Sequence, residues 1–255
     1  MTRILELRSD FRDYYDHWFA GSGQRADNVY ERQSRSGMDR PAMLNYLKGL
    51  GVTTPAFGTV RELASRMDTF AQGLSANTRK ELLRDAGDVV VYTDPGAHGG
   101  GGKIKLGLAV ALEQFPNHFA SEYIPNTISG HGQSIRYLRI GQRQFWLRYT
   151  SEDDWRSNCG EVEIEFLGED FSATPRALMG PSHVPIFAID FVFSTHMYAI
   201  DYNIAPRLTG TGLEDVMPGN AVFQEVLNWF QGMDARARFN QSSYAPPAQL
   251  SAIMH

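Results

Sequence analysis

Two acids and an amide sit close together late in the chain: Asp190, Asp201 and Asn203, within FAIDFVFSTHMYAIDYNIAPRLTGTG, Phe187 to Gly212. The strand formers Ile189, Phe191, Val192, Phe193, Tyr198 and Ile200, on either side of Ser194-Thr195-His196, predict a β-hairpin. Aspartate is disfavoured inside strands, so each carboxylate must be paired, face solvent or hold a cation. Asn203 follows Asp201 by two residues and therefore shares its face. Two carboxylates and an amide carbonyl form a hard-oxygen set of the kind Mg²⁺ accepts when it also carries phosphates. The same residues equally read as surface acids on an ordinary hairpin.

Cationic side chains form a second group. Asp88 to Asp94 has the composition of a buried strand and empties into Pro95-Gly96-Ala97-His98-Gly99-Gly100-Gly101-Gly102-Lys103-Ile104-Lys105. Backbone N–H groups approach anions closely where there is no Cβ, so Gly101, Gly102, Lys103 and Lys105 could cradle phosphates. The spacing is not that of a Walker loop, and a flexible surface loop is the alternative. Arg136 lies on a strand, Ser134 to Ile140, sharing one face with Leu138 and Ile140; Arg148 lies on the next, Gln144 to Tyr149. An arginine on an apolar face has an anion or a carboxylate to meet, and cross-strand salt bridges would serve as well as a ligand.

The elements that must hold these groups can be read in order. An aromatic stripe (Phe11, Tyr14, Tyr15, Trp18, Phe19) precedes a polar stretch carrying Arg25, Arg32 and Arg35. Asp39 as N-cap and Pro41 in the first turn predict a helix with Met43, Leu44, Tyr46, Leu47 and Leu50 on one face, stopped by Gly51. Further helices are expected over Val60 to Ala71, Ser75 to Ala86, Leu106 to Phe115 and Asn220 to Gln231, with a short one over Ser172 to Met179. Phe119 to Asn126 reads as a strand ending at a proline, and Glu161 to Phe166 alternates as a strand with one wet face.

With 255 residues and 42% hydrophobic side chains, the chain can bury one large core or two packed lobes. A net charge of -5 gives no global field for nucleic acid. A single cysteine, Cys159, excludes an internal disulfide and a cysteine metal cluster, which fits a reducing compartment. The start, MTRILELRSDFRDYYDHW, lacks a signal-peptide core, and no run approaches the ~20 apolar residues of a membrane span. The expectation is a cytoplasmic protein without membrane or nucleic-acid partners.

Taken together, these pieces resemble the ATP-grasp superfamily, in its glutamate-ligase (RimK-like) branch, over roughly residues 88 to 232. The resemblance rests on Ser134-Ile135-Arg136, the strand Phe145 to Arg148, Trp155-Arg156-Ser157-Asn158 before Gly160, Asp190, and Asp201-Tyr202-Asn203-Ile204-Ala205-Pro206-Arg207-Leu208. Ser121-Glu122-Tyr123-Ile124 resembles the adenine-holding hinge of that family. Three departures stand out: Tyr92 where the family commonly has a lysine, Asp201 where it has glutamate, and Ser134 where it has an acid before Arg136.

The resemblance implies an α+β fold of two lobes with antiparallel sheets enclosing a nucleotide cleft. The expected division is an N-terminal, mainly helical segment (1–87), a small lobe (88–126), a large lobe (127–232) and a tail (233–255). It implies a Mg²⁺-dependent ligase, with Mn²⁺ as an alternative ion, that joins a small-molecule or peptide carboxylate to an amine through an acylphosphate. Asp190, Asp201 and Asn203 would hold the metal; Arg136, Arg156 and Asn158 would meet the transferring phosphate. Lys103 or Lys105, with Gly101 and Gly102, would cover the ATP phosphates from the loop. Glu122, Tyr123 and Ile124 would line the adenine pocket, and Arg207 and Arg148 would bind the carboxylate substrate. Two other classes compete: a non-catalytic nucleotide- or peptide-binding protein on the same scaffold, and an interaction protein docking through its aromatic N-terminus. Seven histidines without metal spacing argue against a zinc enzyme.

Overall fold

The computed structural model describes residues 5–6, 27–28, 39–70, 72–97, 101–128, 130–174, 178, 185–203, 206–208, 210–219, 221–222, 224–226, 228–229 and 232. The aromatic stripe Phe11 to Phe19, Arg25, Arg32, Arg35 and the 233–255 tail lie outside them. Two short strands, β1 (Leu5–Glu6) and β2 (Asp27–Asn28), pair antiparallel. Asp39 then caps α1 (Arg40–Gly49), its Oδ1 accepting from Ala42 N at 2.9 Å with Pro41 in the first turn.

Next come β3 (Phe57–Thr59), α2 (Val60–Phe70), α3 (Ala76–Asp85), β4 (Asp88–Tyr92), β5 (Lys103–Gly107), α4 (Leu108–Gln114) and β6 (Phe119–Glu122). These four strands form an antiparallel sheet of order β3-β6-β4-β5. Its apolar face (Val89, Val91, Ala120) packs on Val60, Leu63 and Ala64 of α2 and on Leu108 and Ala111 of α4. The strand β3 precedes residue 88, so this sheet draws on both sides of the expected boundary at 87/88.

The second sheet contains β7 (Thr127–Ile128), β8 (His131–Ile140), β9 (Arg143–Ser151), β10 (Val162–Glu169), β11 (Ile186–Phe193) and β12 (Met197–Asn203). Its order is β10-β9-β8-β11-β12, with β7 paired to β8, and all its ladders are antiparallel. One face, with Leu138, Ile140, Phe145 and Leu147, packs on Leu208, on Leu213 of α5 (Leu213–Val216), and on Val222 and Val226. Residues 221, 222, 224–226, 228 and 229 are helical, within the amphipathic helix expected over 220–231, and residue 219 just before it is helical too. The other face, with Tyr137, Phe187, Ile189 and Tyr202, is covered by Met43, Leu44 and Leu47 of α1. The molecule is therefore α+β with two antiparallel sheets, and α1 is built into the core of the larger one.

Three expectations change in detail. The helix after the glycine-rich turn begins at Leu108, because Leu106 still belongs to β5. The strand expected over 119–126 ends at Glu122. Residues 172–174 are not helical, and most of 175–179 lies outside the described residues.

Candidate functional site

A cleft of about 610 Å³, counted out to its open mouth, lies between the two sheets. Val90, Tyr92, Lys103, Ser121 and Glu122 line it from the small sheet, and Tyr123, Ile124 and Asn126 from the connection between sheets. Trp155, Arg156, Ser157 and Asn158 enter from the β9–β10 loop, and Asp190, Val192, Ile200 and Asp201 from the β11–β12 hairpin.

The hairpin forms as its sequence predicts, and Asp190 and Asp201 are direct cross-strand partners. A bulge follows, with Phe191 opposite Ala199, which leaves Ile200 over as the extra residue. Asp190 is matched by Arg136, its cross-strand partner on the other side: Nε donates to Oδ1 at 2.6 Å and Nη2 to Oδ2 at 2.8 Å. Nη1 of Arg136 donates to Tyr149 Oη at 2.9 Å, and the guanidinium stacks 4.4 Å from that ring centre. Burial opposes the Arg136 charge, but Asp190 more than reverses this and raises the pKa. Arg136, expected at a phosphate, thus has its donors committed beside the cleft, and it is not among the lining residues.

Asp201 is matched by a residue the sequence reading did not single out. Arg40, at the start of α1, donates from Nη1 to Asp201 Oδ1 at 2.6 Å, and its side chain is only 8% exposed. Tyr202 N donates to the same oxygen at 2.9 Å, which leaves Oδ2 without a hydrogen bond from the described residues. Burial alone would raise the Asp201 carboxyl; Arg40, Lys103 and Arg136 more than reverse it and hold it below the usual aspartate range. One signal in the sequence pointed to Arg40. A cation in the first turn of a helix opposes the macrodipole and needs an anion nearby.

Lys103 stands directly across the ladder from Tyr92. Both line the cleft, so the neighbouring strand supplies an ammonium where β4 has a phenol. Lys103 belongs to β5 and not to the glycine-rich turn, and it makes no ion pair among the described residues. Burial lowers its pKa, and the Arg40 charge lowers it further. Lys105, also in β5, lies over the Tyr123 ring at 4.5 Å and near Trp155 at 5.8 Å. Gly101 and Gly102 do not line the cleft. Gly102 instead shapes the turn: its φ is +62°, and a Cβ there would meet Asp94 and Ala97 atoms at 2.8 Å.

The loop carrying Trp155 to Asn158 is held from beneath. Gly132 N donates to Asp154 O at 3.1 Å, and a Cβ on Gly132 would meet Asp154 and Trp155 backbone atoms at 2.6 Å. Tyr123 Oη donates to Asn126 Oδ1 at 3.1 Å, while Asn126 Nδ2 donates to Gln133 O at 3.0 Å and to Trp155 O at 3.4 Å. Ser134 shares a 2.6 Å hydroxyl contact with Ser157. Arg156 is gripped by Asp154, Nε at 2.8 Å and Nη2 at 2.5 Å. That contact is the main cause of the lowered Asp154 pKa. The remaining expected residues lie elsewhere: Arg148 pairs with its cross-strand partner Glu165 on the surface, Arg207 is exposed, and Asn203 does not line the cleft.

The donor set offers Mg²⁺ few free protein oxygens. Asp201 offers one oxygen without a hydrogen bond, but both Asp190 oxygens already accept from Arg136. Among the described residues no group of three or more His, Cys, Asp or Glu side chains could gather a metal. The residues therefore fit an ion held mainly by ligand phosphates and water with one carboxylate added, and not an all-protein cage.

No family model matches the chain and no curated protein matches it. Solved structures do. The ATP-grasp ligase PsnB, complexed with a phosphomimetic variant of a minimal precursor, Mg and ADP, is 13% identical with a TM-score of 0.47, covering 87% of this chain and 68% of that one. The macrocyclase MdnC from Microcystis aeruginosa, bound to precursor peptide MdnA, is 16% identical at 0.44, covering 87% and 73%. A Chryseobacterium gregarium RiPP-associated ATP-grasp ligase, with ADP and a leader and core peptide, is 13% identical at 0.43, covering 87% and 69%. At TM-scores below 0.5 these likenesses do not establish a family, and the chain spans only about two thirds to three quarters of these ligases.

Proposed function

We propose that this protein is an ATP-dependent carboxylate–amine ligase of the ATP-grasp kind, with the nucleotide in the cleft between its sheets. The observation that carries the reading is Lys103. It is the lining cation without an ion pair among the described residues, it is half-buried, and its charge is disfavoured there. An ammonium so placed gains most from an incoming anion. The order of motifs from Asp88 to Arg207 is what turns an anion site into a nucleotide site.

In this reading a substrate carboxylate attacks the γ-phosphorus, ADP departs, and an amine then displaces phosphate from the acylphosphate to give an amide. Such chemistry needs charge neutralisation and alignment more than a protein nucleophile. Lys103 and Arg156 would face the phosphate charge, with Asn158 as a further donor. Val90, Ile124, Val192 and Ile200 supply apolar walls for the base, and the Glu122–Ile124 backbone a polar edge. Asp201, through the oxygen that accepts no hydrogen bond from the described residues, would hold Mg²⁺ together with the ligand phosphates and water, and the ion's part would be to neutralise phosphate oxygens. A peptide carboxylate or amine is the substrate class we favour among the possibilities.

Incubation with Mg-ATP and pooled amino acids and peptides, followed by mass spectrometry, should give ADP, phosphate and a new amide. Asp201→Ala should abolish that turnover, and full turnover in the variant would sink the assignment. A second reading, nucleotide binding without catalysis, is favoured by the arginines that already match both hairpin carboxylates. It predicts nucleotide binding with no ADP release under any substrate pool.

A further inference from the structure

Arg40 is the point at which three parts of the molecule meet. Its backbone N donates to Pro95 O of the glycine-rich turn at 3.1 Å. Its guanidinium lies 5.9 Å from the Tyr92 ring centre on the small sheet and 2.6 Å from Asp201 on the large one. It does not line the cleft, so it acts through Asp201 and not on a ligand directly. A cation in the first turn of a helix is unfavourable in itself, and burial adds to that cost. The Asp201 carboxylate is the compensating group.

We infer that Arg40 is a positioning residue that decides what the cleft accepts: by capping Asp201 it lets a divalent cation enter only together with the nucleotide. The inference rests on the nucleotide reading above. With Arg136 matching Asp190 and Arg40 matching Asp201, the four side chains present no net charge to a lone divalent ion. A cation that arrives with phosphates brings its own ligands, needs only Asp201 Oδ2, and delivers its anions to Lys103. Removing Arg40 uncovers one negative charge. A lone cation must then bind better and metal-free nucleotide worse, a pair of opposite changes that simple loosening of the site would not produce.

The test uses the full chain. Mn²⁺ binding without nucleotide is followed by electron paramagnetic resonance, and ADP binding in EDTA by calorimetry, for wild type, Arg40→Met and Arg40→Lys. A charged hydrogen bond is worth a factor of about ten or more. Arg40→Met should therefore bind Mn²⁺ alone at least about tenfold tighter and metal-free ADP at least about tenfold weaker, while Arg40→Lys stays near wild type in both. Changes in the same direction, or no change in either, overturn the inference. Should Arg40→Met fail to fold, Asp201→Asn removes the other half of the pair. It should tighten metal-free ADP by about tenfold on the same reasoning, and unchanged ADP affinity overturns the inference. Wild type that fails to bind Mg-ADP overturns the nucleotide reading and this inference together; wild type that binds it while Arg40→Met matches it in both assays overturns this inference alone.

Discussion

On the six-stranded side of the cleft the charges are matched within the protein: Arg136 is bound to Asp190, Arg40 to Asp201 and Arg156 to Asp154. On the four-stranded side Lys103 enters the same space with no ion pair among the described residues, and its pKa is pushed down by burial and by Arg40. The two sides therefore differ in what they need. The larger sheet is a finished polar framework that orients its groups, whereas the smaller one carries a charge that a ligand would complete. Substitutions on the first side should cost stability, and those on the second should cost binding.

The largest effect is expected at the centre of the framework. Arg136→Met leaves Asp190 buried without its partner, both side chains being 9% exposed, and should destabilise the fold by about 3–5 kcal/mol in denaturant unfolding. A loss below ~1 kcal/mol would mean that the pair does not hold β8 to β11. Gly132→Ala comes next. Its Cβ would press on the Asp154–Trp155 backbone at 2.6 Å, so a loss of about 1–3 kcal/mol and an altered Trp155 fluorescence are expected.

Lys103→Met should do the reverse and raise stability by about 1 kcal/mol at neutral pH, because it removes a disfavoured charge. The sign of its pH dependence follows from the lowered pKa. Between the folded value and the unfolded value near ~10.4 the unfolded state binds more protons, so stability rises with pH in wild type. The variant should lose that slope. Asp201, held below its usual range, gives a second limb of the same sign at acid pH. Its contribution is present above the unfolded aspartate value near ~3.9 and is lost as pH falls through the folded value, a loss that Asp201→Asn should not show. The smallest effect is expected at Arg148, exposed and paired only with Glu165: Arg148→Ala should change stability by less than ~0.5 kcal/mol and leave nucleotide binding unchanged.

Local signals in the sequence were reliable where the physics is local. Asp39 and Pro41 start α1 as their types require, Ser75 caps α3, and the alternating run before Gly168 becomes β10. The hairpin that joins Asp190 to Asp201 was legible because its turn is short. What stayed hidden were pairings between distant segments. Arg136 meets Asp190 only because β8 lies beside β11, and Arg40 meets Asp201 across 161 positions of sequence. Neither adjacency leaves a periodic trace, so the sequence alone leaves open whether Arg136, Asp190 and Asp201 meet partners within the protein or a ligand. The glycine run misled in another way. It marks a turn without showing where β5 begins, so the sequence alone places Lys103 and Lys105 in the loop, whereas both belong to the strand.

Calorimetric titration of Mg-ATP into wild type and Lys103→Met tests most directly whether the cleft is a nucleotide site. Saturable binding in wild type, weakened at least about tenfold in a variant that is no less stable, is the predicted result. Absence of binding in folded wild-type protein, or equal affinity in the variant, would contradict it.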